Sequence, residues 1–242
     1  MAVTSHFNKW ILLTAFTGLV FLRLPAVAEE SASNADGLPM FGKPKLARSD
    51  QLKKADEAFI RDNTLRYKTR QAASVAFATQ GWQALRAKQV DAAMLSFNRA
   101  WLLNPKNYVA FWGFGAVLSM RGQLLDALEH LETARELLDD PLQRSALLAD
   151  VATLHSEYAA SLPDSQQLER AQRFVIANSR FTECLENDPN FAEGWREWAI
   201  SLYQQERYSE AWARVRRARE LRAAPFPPVF IKKLSDKMAE PK

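Results

Sequence analysis

Apolar residues return at three- and four-residue intervals along most of this chain, the spacing of helices with one buried stripe. Leu52, Ala55, Phe59 and Ile60 make the first such face, and Ser49-Asp50 stand where a cap opens a helix. No stretch alternates with period two and β-branched enrichment, so the pattern predicts no sheet. Near the end, Pro227-Pro228 can open a short helix with Phe230, Ile231 and Leu234 on one side. Gly is sparse, at 8 of 242 residues, which agrees with a helical chain.

The apolar run at the start has another character. Lys9 precedes Trp10–Leu22, an apolar run of 22 − 10 + 1 = 13 residues, and Arg23-Leu24-Pro25 breaks it ahead of Ala26-Val27-Ala28. A positive flank, a short apolar run and an A-x-A site read as a secretory signal over residues 1–28, with Glu29 as the mature start. A retained anchor is the alternative, but the run falls short of the roughly 20 residues that cross a bilayer. Residues 29–48, with Ser31, Ser33, Gly37, Pro39, Gly42 and Pro44, read as a linker, followed by a flanking helix over 49–68.

From about Thr69 the chain repeats itself at an offset of 34. Phe77 falls on Phe111, Gly81 on Gly115, Ala93 on Ala127, Phe97 on Leu131 and Ala100 on Ala134. Later, Ala177, Phe181 and Cys184 fall on Ala211, Val215 and Ala218 at the same offset. Between the halves the offset is 84 = 2 × 34 + 16, so one repeat carries extra turns, with its hairpin at Leu162–Ser165.

A 34-residue period with large and small residues on a first helix and Ala–aromatic–Ala on a second resembles the tetratricopeptide repeat family. The resemblance covers residues 69–224, in units near 74–107, 108–141, 142–191 and 192–225, with 225–242 as a capping helix and tail. It implies an all-α solenoid of about four helix hairpins, the third elongated. Gly81 is expected to face Ala93 and Ala100, letting the two helices approach. In the third unit two faces compete for the first helix: Leu147, Val151, Leu154 and Tyr158, or Leu148, Ala149 and Ala152.

The family binds partners along the groove lined by its first helices. Carried onto this sequence, that groove presents Trp82, Leu85 and Arg86, then Trp112 and Met120, then Arg196 and Tyr203. Ala78 and Trp82 stand where chaperone-binding members carry carboxylate-clamping residues, so such a clamp is not expected. Packing of Trp82 and Trp112 against neighbouring helices is the competing reading. A second surface is the arginine-rich stretch with Arg214, Arg216 and Arg217, for which a solvated helix face is the plainer account.

Charge and chemistry change this picture little. Removing residues 1–28 leaves a net charge of (32 − 2) − 28 = +2, too small for a broad nucleic-acid field. The single cysteine, Cys184, has no partner for an internal disulfide. His130 is expected at the surface, and His155 with Glu157 makes no spaced metal pair. Gly113-Phe114-Gly115 lacks the third glycine and the preceding strand of a dinucleotide loop. The sequence therefore predicts no enzyme, cofactor or metal and no membrane span once the signal is cleaved. Together with the signal, the resemblance implies a periplasmic scaffold that binds a protein or peptide in the envelope, with a soluble carrier of an apolar small ligand as the alternative.

Overall fold

The computed structural model describes residues 49–241; the expected signal segment over 1–28 and the expected linker lie outside them. The described residues hold ten α-helices and no strand. They run α1 Asp50–Tyr67, α2 Arg70–Arg86, α3 Val90–Leu103, α4 Tyr108–Met120, α5 Leu124–Leu137, α6 Arg144–Ser161, α7 Gln167–Asn187, α8 Ala192–Gln204, α9 Tyr208–Glu220 and α10 Pro228–Lys237. The described residues are all-α, built from successive helix hairpins, and form two compact units that meet in sequence at Arg121 and Gly122.

The repeat is written in the backbone as well as the side chains. Lys88, Gly122 and Glu206, in the turns after α2, α4 and α8, all have left-handed φ of 60°, 76° and 60°. Their spacings, 122 − 88 = 34 and 206 − 122 = 84, are the two offsets found in the sequence. A left-handed residue lets the helix end by folding an amide back onto an earlier carbonyl. Gln89 N–H donates to the Ala84 carbonyl, and Arg207 N–H to that of Leu202, each at 2.9 Å. The third hairpin turns differently, through Pro163 and a 3-10 turn at Asp164–Gln166. Its helices have 18 and 21 residues, against 13 each for α8 and α9.

In the first unit, α1 is capped by Ser49, whose side chain accepts from Leu52 N–H, and it runs two turns past Ile60. Phe59 and Tyr67 rest on Phe77 of α2, with ring centroids 5.4 and 6.2 Å away. Gly81, expected opposite Ala93 and Ala100, has Phe97 between them on α3 as its nearest neighbour. It faces the ring of Phe97, and so does Gly113 of α4: a Cβ would stand 2.5 Å from that ring at Gly81 and 2.3 Å at Gly113. Phe97 is wholly buried, filling the room that the two glycines leave. Gly113 thus has a packing role that its neighbourhood in sequence did not suggest.

The second unit is organised around α6, which packs against α5, α7 and α8. This resolves the two competing faces: Leu147, Leu148, Ala149, Val151, Ala152 and Leu154 are all buried, because a helix with neighbours on three sides is apolar nearly all round. At the end, Phe230 and Leu234 of α10 join Leu202, Trp212 and Val215 in one cluster, closing the apolar end of α8 and α9.

A buried polar staple recurs in both units. Ser74 Oγ donates to the Ala100 carbonyl at 2.7 Å and accepts from Asn107 Nδ2 at 2.7 Å. Ser145 Oγ does the same with the Cys184 carbonyl at 3.0 Å and Asn187 Nδ2 at 2.8 Å. Each ties the start of a first helix to the end of its second.

Gly113→Ala should destabilise the protein by ~1–3 kcal/mol, since one methyl must displace an immobile ring. Gly122→Ala should cost less, about 1 kcal/mol, because only the left-handed φ is strained and no atom lies within 4 Å. Chemical denaturation of the two variants beside the parent checks the order.

Candidate functional site

The expected groove residues of the first unit divide between interior and surface. Trp82 sits edge-on to Phe97 at 5.5 Å and to Trp112 at 6.0 Å, so α2, α3 and α4 meet at one aromatic cluster. Trp82 is 8% exposed and Trp112 3%. Edge-to-face pairs of this kind add about 0.5–1.5 kcal/mol each beyond the area they bury. Leu85 is buried as well, while Arg86 is exposed and Met120 half-buried.

In the second unit, Arg196 and Tyr203 both belong to α8. Arg196 is buried, its guanidinium 5.7 Å from the Phe226 ring and hydrogen-bonded to Glu197. Tyr203 is half-buried, edge-on to Phe230 at 5.6 Å and beside Tyr208 at 5.7 Å. The neighbouring first helix, α6, brings Glu157. Half-buried, it has no hydrogen bond or ion pair from any described residue, and burial, followed by the charge of Glu197, pushes its carboxyl up to about 8. Glu197 is raised too, because burial outweighs the nearby Arg196. Burial of these two acids is not legible in sequence, since nothing local marks a carboxylate for burial.

A third carboxylate, also half-buried, has the opposite fate. Burial alone would raise Glu132 of α5, but hydrogen bonds from His155 (3.3 Å) and Arg135 (2.5 Å) and the charges of Arg135 and Arg180 outweigh it and hold Glu132 at about 2. His155 thereby serves as a link between α5 and α6. His130 is buried rather than at the surface, because with Ala127, Leu131 and Ala134 it falls on the packing stripe of α5.

The arginines of α9 also separate. Arg214 lies flat over aromatic rings, 4.2 Å from Trp198 and 5.2 Å from Trp195, and burial lowers its pKa. Phe181 stacks on Trp198 at 5.9 Å, so the arginine continues a column of rings across α7, α8 and α9. Arg217 pairs with Glu220 at 3.0 Å, and Arg216 donates to the Pro241 carbonyl at 3.1 Å. Cys184 is buried, its thiol pushed up to about 12 chiefly by burial, and it donates to the Ser145 carbonyl. That environment makes the thiol a poor nucleophile. Among the described residues no three of His, Cys, Asp and Glu are placed to hold a metal ion. None of the described helices is long and apolar enough to cross a membrane.

These two acids give stability opposite pH dependences. Glu132 binds its proton more weakly folded than unfolded, so its contribution is complete above pH 4.5 and is lost as pH falls towards 2. Glu157 binds its proton more tightly folded, so its contribution is complete below pH 4.5 and is lost as pH rises towards 8. Denaturant titrations across pH should show Glu132→Gln removing ~1–3 kcal/mol of the acid limb. Glu157→Gln should flatten the decline between pH 5 and 8 by a similar amount, about 1–3 kcal/mol.

No protein-family model matches the chain, and no curated protein matches it. Among solved structures it is similar to the crystal structure of YrrB, a TPR protein with an unusual peptide-binding site. The identity is 17%, over 76% of this chain and 100% of that one, with a TM-score of 0.34. At that level of likeness it is the hairpins themselves, with their 34-residue period, that establish the fold.

Proposed function

We propose that this protein is an exported tetratricopeptide-type scaffold that binds a protein or peptide partner in the cell envelope, at the periplasmic face of its assembly or maintenance. The observation that carries binding is Glu157. A half-buried carboxylate with no partner among the described residues weakens the fold at neutral pH, and such groups concentrate where a ligand completes them. Glu157 and Glu197 lie on neighbouring first helices, α6 and α8, beside the Tyr203 and Arg196 positions that the family pattern singles out. The group that completes an unpartnered, half-buried carboxylate is a cation, so the favoured ligand is an extended peptide carrying Lys or Arg. Within this reading Trp82, Leu85 and Trp112 of the first unit support the scaffold, and Arg86 and Met120 offer it surface.

Export rests on residues 1–28, whose flank, apolar run and Ala26-Val27-Ala28 follow the secretory pattern. Amino-terminal sequencing of the protein from a periplasmic fraction should begin at Glu29; an intact amino terminus in the membrane fraction would mean a retained anchor instead.

An immobilised array of extended peptides tests the binding. The parent protein should select peptides with Lys or Arg, and the Glu157→Gln/Glu197→Gln pair should lose at least about tenfold in affinity, or 1.4 kcal/mol, while circular dichroism stays unchanged. Selection of uncharged peptides, or equal binding by the double variant, would refute the site. An apolar small molecule retained in native mass spectrometry, with no peptide selection, would favour the carrier instead.

A further inference from the structure

The carboxy-terminal residues lie along one stripe of α9. Trp212, Arg216 and Arg219 stand at i, i+4 and i+7, so their side chains leave the same face of that helix. Beyond α10 the chain is extended, Met238 having φ −153° and ψ 127°. Trp212 Nε1–H donates to the Met238 carbonyl at 2.9 Å. Arg219 Nη1 donates to the Glu240 carboxylate at 2.8 Å, and Arg216 Nη1 to the Pro241 carbonyl at 3.1 Å. Arg219 is itself steadied by its position 5.9 Å from the Trp212 ring.

Two of these three contacts are to backbone carbonyls and one is to a carboxylate. The stripe therefore reads an extended backbone of any sequence and selects an acidic side chain at one position. The two sides are held with unequal firmness. Trp212 is wholly buried and its indole is fixed by the core, whereas Met238 is 40% exposed. The Arg219–Glu240 pair is exposed on both sides, 46% and 40%, and surface pairs of this kind hold weakly. A rigid reader carrying a loosely tied segment is a site built to exchange its occupant.

We infer that the Trp212–Arg216–Arg219 stripe is a docking surface for an extended acidic segment of a partner polypeptide, and that residues 238–241 occupy it in the unbound protein. The tail competes at an effective concentration on the order of millimolar, which suppresses weak acidic ligands and admits better ones. This surface is separate from Glu157 and has the opposite charge preference, so either site can stand if the other fails.

The test uses full-length protein labelled with 15N and follows the Trp212 indole resonance. The probe is a peptide of sequence Asp-Lys-Met-Ala-Glu-Pro, acetylated and amidated, a copy of residues 236–241. Glu240→Lys replaces the pair with Arg219 by a repulsion and loosens residues 238–241 on the stripe, so that variant should bind the peptide at least roughly threefold more tightly than the parent. Its Trp212 indole hydrogen should exchange faster before peptide is added. Raising salt from about 50 to 500 mM should weaken the binding. Adding Arg216→Ala and Arg219→Ala to Glu240→Lys should abolish it, and a probe with Gln in place of its Glu should bind more weakly. Binding no tighter to Glu240→Lys than to the parent would overturn the inference. So would binding that survives loss of both arginines, or a salt-insensitive affinity.

Discussion

The closeness with which paired helices approach depends on side chains that are missing. In the first unit the ring of Phe97 occupies space that exists only because positions 81 and 113, on two different first helices, carry no Cβ. In the second, Gly194 is enclosed in a similar way, a Cβ there falling 3.0 Å from Cys184 Sγ and 3.1 Å from Leu185. With helices this near, a side chain of a second helix reaches between neighbouring first helices, and a hairpin that could not bury its apolar face alone becomes part of a core. The same closeness leaves little room for water beside polar groups on the inner faces, which is why their partners matter.

Three acids of the second unit show what that constraint does. Glu132 is met by an imidazole and two guanidinium groups, and its charge is kept. Glu197 has one guanidinium beside it and is still raised. Glu157 has none, and its proton is held to about pH 8. The cost of burial is similar in kind for each, and the cations within reach, from the same helix or its neighbours, decide the outcome. A fold selected for stability alone would answer Glu157 with a cation or replace it by an apolar residue. The unanswered burial of Glu157 is the physical ground on which the α6–α8 face is proposed to take a ligand.

Much of the architecture was legible because it depends on local spacing. The 34-residue offset, read from residues such as Phe77 and Phe111, reappears in the left-handed turns at Lys88, Gly122 and Glu206. The Ser49 cap and the Pro227-Pro228 opening were equally local. What escaped depends on residues far apart in the chain. The charged neighbours Glu129 and Glu132 point His130 to the surface, although its helical phase matches Ala127 and Ala134 and it is buried. The first helix of the third repeat had two plausible faces because it needs both. Arg214 looked like part of a solvated basic face, yet Trp195 and Trp198, and not solvent, receive it. The groove pattern drew attention to Trp82 and Trp112, and no rule of spacing says whether an aromatic at such a position is presented or packed.

The central claim is that Glu157 awaits a cationic side chain, and the most direct measurement is the proton balance of binding. Calorimetric titration of an array-selected Lys- or Arg-bearing peptide at pH 7, in buffers of different ionisation enthalpy, gives the protons exchanged per complex. A carboxyl that titrates near 8 is largely protonated at that pH and must ionise to meet a cation, so binding should release up to one proton. The release should disappear in Glu157→Gln. Binding with no proton release, or with proton uptake, would contradict the account.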